Sequence, residues 1–178
     1  MCTVFAEKEG PEINQFVVDP NEEGLIFDFA VHKLKTFCKN ELKPKQVESV
    51  KFHANTWGLS SNNFFGETII PKMKKLREID LSDTIKYRHR SDMPLGVNSM
   101  LKSAIDYKVE RINLSDNFLD HDGARSFKVF FESNSTLKIF NASNCSLGDA
   151  SGAIIEQALS QNSRMQLTEL YLQSNNIG

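Results

Sequence analysis

The stretch richest in chemistry is Ser82 to Pro94, S-D-T-I-K-Y-R-H-R-S-D-M-P, where Lys86, Arg88, His89 and Arg90 surround one tyrosine between two aspartates. Such cations can pair with an acidic partner surface or stabilise negative charge that builds up in a reaction. The plainer alternative is a solvated loop whose arginines stay in water, with Arg90 pairing to Asp92. The rest of the chain offers no catalytic site of its own. No G-x-x-x-x-G-K-[ST] run is present, so the chain is not expected to bind GTP itself. His32, His53 and His121 are scattered, with no cysteine or carboxylate arrangement that suggests a metal or a nucleophile–base pair. A hydrolase is therefore the weakest class.

What positions the loop is an internal repeat. Five segments follow L-x-x-L-x-L-x-x-N/C: V47-E-S-V-K-F-H-A-N, L76-R-E-I-D-L-S-D-T, V109-E-R-I-N-L-S-D-N, L137-K-I-F-N-A-S-N-C and L167-T-E-L-Y-L-Q-S-N. The fourth fits least well, with Phe140 and Ala142 at inner positions. Alternating apolar residues suit short strands with every second side chain inward. The ninth position holds Asn55, Thr84, Asn117, Cys145 and Asn175, small groups able to bond the backbone of neighbouring turns. These five are expected to form a ladder rather than a site.

Between strands lie stretches with helical spacing. Ala124, Phe127, Phe130 and Phe131 share one face, as do Ile154, Ile155, Ala158 and Leu159, and Asp122 and Asp149 sit near the expected helix starts. Repeat starts at 47, 76, 109, 137 and 167 are separated by 29, 33, 28 and 30 residues, long enough for a full helix in each unit. The expected fold is α/β: a ribonuclease-inhibitor-like leucine-rich-repeat solenoid, a horseshoe with parallel strands on the concave face and helices on the convex face. Residues 1–12 read as loose. Residues 13–46 read as a capping region with a helix from Asp19, carrying Leu25, Phe29, Leu34 and Phe37 on its apolar face. Residues 47–178 form the repeats, and the stop directly after a strand suggests a fragment of a longer protein.

Composition narrows the partners. A formal charge of −2 and a pI near 6.1 argue against nucleic acid. No apolar run approaches the roughly 20 residues of a membrane span, and the N-terminus does not read as a signal peptide. Cys2, Cys38 and Cys145 suit neither a disulfide framework nor a zinc site, which points to a reducing compartment. The N-x-S/T triplets at Asn113, Asn134, Asn141 and Asn144 then read as chance.

The second repeat and its loop resemble the Ran GTPase-activating proteins. In that family a strand ending in Ser-Asp leads into a loop with an essential arginine, then basic and acidic residues and a proline opening a helix. The matching run here is S82-D83-T-I-K-Y-R88-H-R90-S-D92-M-P94, followed by L-S-D-N at 114–117 and S-N-C-S-L-G at 143–148. The resemblance covers residues 45 to 178. Two departures are Lys86-Tyr87, where the family has a Thr-Gly pair, and Asp120, where glycine is usual.

The resemblance implies an activator of a Ran-type small GTPase, itself not an enzyme, with GTP and magnesium carried by the GTPase and no cofactor of its own. It assigns the arginine's interface role to Arg88, and to Asn144 the orienting of the GTPase's glutamine. Asp83, Lys86, Arg90, Asp116 and Asn117 would line the partner surface. A monomeric, cytoplasmic protein, with access to the nuclear envelope, is implied. The competing reading is a generic leucine-rich-repeat interaction module in which Arg88 has no catalytic consequence.

Overall fold

The computed structural model describes residues 43–52, 58–84 and 95–178 with their side chains. It also describes Lys39, the backbone of residues 56–57 and 92–94, and that of four short strands between residues 4 and 26. The strands are β1 (Val4–Phe5), β2 (Lys8–Glu9), β3 (Ile13–Val18), β4 (Leu25–Ile26), β5 (Ser49–Lys51), β6 (Thr56–Trp57), β7 (Glu78–Asp80), β8 (Arg111–Asn113), β9 (Ile139–Asn141) and β10 (Glu169–Tyr171). Helix α1 (Leu59–Phe64) runs on through a π turn at Phe65–Ile69, and α2 (Asp92–Ala104), α3 (Asp120–Ser133) and α4 (Asp149–Gln161) follow.

The main sheet runs β1-β3-β5-β7-β8-β9-β10, with β2 beside β3, and β3 through β10 are parallel neighbours along this path. A parallel neighbour needs a crossover. From β7 onward each crossover is a helix, and consecutive helices pack on one another. The register aligns Val50, Ile79, Ile112, Phe140 and Leu170, the fourth residue of each repeat. The first four of these are at most 1% exposed. Their neighbours on β7, β8 and β9 are half-buried, so helices cover one face of the sheet and the other is open.

The poor fit of the fourth repeat has a packing explanation. Phe140 meets the rings of Phe127 and Phe131 at 5.0 and 4.6 Å, the latter nearly edge-on, while Ala142 is fully buried beside it. A large residue at one inward position is offset by a small one at the next, which keeps the core volume in register. On the last strand, Leu170 is 38% exposed. It borders a cavity of about 470 Å³ with Ile155, Leu159, Leu172 and Ile177.

The N-terminal region departs from expectation. Residues 13–18, placed in a helical capping region by sequence, form strand β3, with Phe16 in register with Val50. Residues 4–5 and 8–9, expected to be loose, pair antiparallel with that strand. The reason is visible in I13-N-Q-F-V-V-D-P-N, which repeats the template with Ile13, Phe16, Val18 and Asn21 at the required positions. Its β-branched residues favour extended backbone. Leu25–Ile26, inside the expected helix, pairs parallel with Thr56–Trp57. The remainder of that helix lies outside the described residues, apart from Lys39, which is helical.

Candidate functional site

The turns that follow the strands form a row. Beyond the strands proper, Asp83 N donates to Ser115 O at 2.9 Å, Asp116 N to Ser143 O at 3.0 Å, and Asn144 N to Gln173 O at 2.8 Å. The parallel ladder therefore continues around the turn and sets Asp83, Asp116, Asn144 and Ser174 side by side. All four have left-handed backbone, with φ of 53°, 61°, 53° and 57°. Aspartate and asparagine tolerate that region better than most residues because their short polar side chains bond locally. The turns are further fixed from the strand: Asp80 Oδ1, Asn113 Oδ1 and Asn141 Oδ1 each accept from the backbone N–H two residues on, at 2.9, 3.1 and 2.9 Å.

Two of the N-x-S triplets thereby acquire a cause. Asn113-Leu-Ser115 and Asn141-Ala-Ser143 recur because the fifth repeat position closes a turn onto the seventh, and Asp80 does the same for Ser82. The triplet at Asn134 serves elsewhere: its side chain is buried and fully engaged by backbone groups.

Behind the row lies a buried ladder. Asn117 Nδ2 donates to Leu81 O and Leu114 O, both at 2.8 Å, and Asn117 Oδ1 accepts from Thr84 N at 3.0 Å. Asn175 repeats this two repeats further on, donating to Ala142 O and Leu172 O and accepting from Cys145 N. The Thr84 hydroxyl donates to Leu81 O, and the Cys145 thiol to Leu114 O at 3.1 Å. Burial pushes that thiol up to about 12, so it is an inert donor rather than a nucleophile. Asn117, a candidate partner contact by sequence, is 3% exposed with its amide engaged on both atoms. It is unavailable to a partner.

In front of the ladder the structure joins two other candidates. Asn144 Nδ2 donates to Asp116 Oδ1 at 2.9 Å, and both side chains are exposed. A carboxylate can only accept, so this contact fixes which way the amide faces and leaves Asn144 Oδ1 turned away from Asp116. Asp83 stands one strand further along. Arg88, Lys86 and Arg90, together with Asn55, lie outside the described residues.

At the start of α3, Asp120, His121 and Asp122 bring ligand-type atoms within 4.8 Å of one another, so His121 does stand among carboxylates, contrary to the expectation above. Asp122 also pairs with Arg125 at 3.1 Å, and these exposed groups balance one another across one helical turn. Asp120, where glycine is usual in the resembling family, has a φ of 48°, the conformation in which glycine is least strained.

A second ladder, which the repeat template does not contain, closes the ends of the helices. Asn134 Nδ2 donates to Ile105 O and Tyr107 O while its Oδ1 accepts from Thr136 N and Leu137 N. Asn162 Nδ2 donates to Phe131 O and Asn134 O. The shared Asn-Ser pair just past each helix is the signal for it.

No protein-family model matches the chain. Over 119 residues, 65% of the chain, it is 25% identical to Ran GTPase-activating protein 1 of Xenopus laevis, and over 142 residues, 74% of the chain, 26% identical to RAN GTPase-activating protein 1 of Arabidopsis thaliana. The matched parts are 20% and 26% of those proteins, so the chain spans about a quarter of the curated relatives it matches. By sequence, then, the chain is a distant relative of the Ran GTPase-activating proteins.

Proposed function

We propose that the protein is a leucine-rich-repeat solenoid that activates a Ran-type GTPase, and that the turn row is its docking edge. The observation that carries this reading is the Asn144–Asp116 contact. A small GTPase needs its own glutamine to hold the attacking water, and intrinsic turnover is slow. With its NH₂ group committed to Asp116, Asn144 offers Oδ1 as an acceptor to the glutamine's amide. That amide then presents its own oxygen to the water. The gain is orientation rather than bond chemistry, since a positioned nucleophile has part of its entropy cost already met. A pre-set hydrogen-bond geometry needs no reorganisation as the reaction proceeds.

Arg88 is assigned the interface role. It follows Thr84 by four residues, so extended chain can carry it at most about 14 Å from the rim. Asp83 and Asp116 would meet basic residues of the GTPase, and Lys86 and Arg90 acidic ones. GTP and magnesium belong to the GTPase in this scheme, and the activator works as a cytoplasmic monomer. Among the described residues no helix is long and apolar enough to cross a membrane.

Single-turnover GTP hydrolysis by Ran, with and without the protein, is the test. Acceleration on the order of 10³ to 10⁵ is expected, falling by about 10² or more with Asn144→Ala and with Arg88→Ala. No acceleration by folded protein overturns the reading. Full acceleration by either variant removes that residue from the mechanism.

A further inference from the structure

Among the described residues, the two long edges of the sheet carry opposite charge. Because β5, β7, β8, β9 and β10 are parallel and in register, every segment leading into one of these strands lies along one edge and every segment leaving it along the other. The leaving edge holds Asp83, Asp116, Asp120 and Asp149. On the entering edge, exposed Lys72, Lys74, Lys75 and Arg77 precede β7, Lys108 precedes β8 and Lys138 precedes β9.

Glu48, Asp106 and Glu110 lie on the same edge, three carboxylates against these six cations, so the charge is reduced but not cancelled. Glu110 is shared, accepting from Arg77 Nη1 at 2.6 Å and Lys138 Nζ at 2.9 Å. Lys74 Nζ bonds the Tyr107 hydroxyl at 3.0 Å and lies 4.9 Å from that ring's centroid. Lys72, Lys75 and Lys108 have no ion-pair partner among the described residues.

We propose that this entering edge docks an extended, acidic peptide segment of a partner protein. The strip from β5 to β9 crosses three inter-strand steps of about 4.8 Å, roughly 14 Å, the length of about four extended residues. Its unpaired cations are lysines, point charges that suit a row of carboxylates, and they lack the planar fork with which arginine grips phosphate. A net charge of −2 and the acidic opposite edge disfavour a long polyanion such as nucleic acid. Among the described residues, none of the exposed large apolar ones, Leu95, Phe118, Val129, Leu170 and Tyr171, precedes a strand on this edge, so these residues offer it no wedge of the kind a membrane-surface site uses. The edge lies across the sheet from the turn row, so both can be occupied at once, and the proposal does not depend on GTPase activation.

The experiment is fluorescence anisotropy with a labelled peptide of about eight alternating Asp and Glu residues. The full chain is compared with its Lys72→Glu, Lys75→Glu, Lys108→Glu triple variant. Expected are binding at low salt, its loss as salt is raised to about 0.5 M, and affinity at least about tenfold weaker in the triple variant. Unchanged affinity in the triple variant overturns the proposal. So does tighter binding of an oligonucleotide of similar length, or of phosphatidylserine vesicles, than of the peptide. Lys75→Glu alone, expected to weaken binding measurably with the same thermal midpoint as the parent, guards against loss of fold in the triple variant.

Discussion

The two edges of one sheet share a buried amide ladder and differ in what stands in front of it. Where chain leaves the strands, short side chains close onto backbone: Asp80, Asn113 and Asn141 accept from the turn, and Asn117, Cys145 and Asn175 each tie a turn to the one before it. Where chain enters the strands, Asn134 and Asn162 are buried on backbone in the same way, but in front of them long side chains reach across in water, as Arg77 and Lys138 do to Glu110. Short buried bonds are costly to break and hold atoms in place. Exposed ion pairs are weak individually and leave the surface adaptable. A part that must present one amide oxygen belongs on the first edge, and one that attracts charge without demanding geometry on the second.

The comparison can be broken at several points. The largest effect is expected at Asn117→Leu, which leaves buried Thr84 N without its acceptor and takes one of two donors each from Leu81 O and Leu114 O. A loss of about 3 kcal/mol is expected in urea unfolding, and a change as small as that of a surface residue would mean the ladder does not secure the leaving edge. Ser174→Gly comes next, with the opposite sign: its φ of 57° disfavours a side chain. Relief of about 0.5–1 kcal/mol is expected, read as a higher unfolding midpoint.

The smallest effect belongs to the entering edge. Glu110→Gln is expected to cost about 0.5 kcal/mol at neutral pH. Hydrogen bonding from Lys138, with its charge and that of Arg77, holds the Glu110 carboxyl below its ordinary 4.5, against the opposing effect of burial. Its stabilisation is therefore complete above about that ordinary value and disappears as pH falls through the lowered folded value. Parent and variant unfolding curves should converge on acidification. A gap that widens at low pH would show that the ladder is not ionic.

The repeat positions were readable because side chains at fixed spacing must be buried together: Ile79, Ile112 and Phe140 share a row in the register their spacing required. Strand β3 was equally readable from Ile13, Phe16, Val18 and Asn21, but its longer gap to Val47 and the helical pattern after Asp19 competed for the same residues. The Asn144–Asp116 contact was not, because it depends on left-handed backbone at two residues 28 positions apart. A ladder role for Asn117 could be read from its ninth position. Its exclusion from the partner surface could not, since that follows from burial beneath Leu81 and Leu114 backbone. The charge separation between edges also escapes a linear reading, since its residues come from separate repeats and average to a near-neutral chain.

Cys145 gives the leaving edge an internal clock. Its thiol is fully buried, bonded to Leu114 O, and pushed up to about 12, so alkylating reagents and mild oxidants meet it only when that turn opens. The rate at which it is trapped by a thiol reagent, resolved by peptide mass from Cys2 and Cys38, therefore counts openings of the rim. Bound partner would slow that count in proportion to how firmly it holds the edge shut.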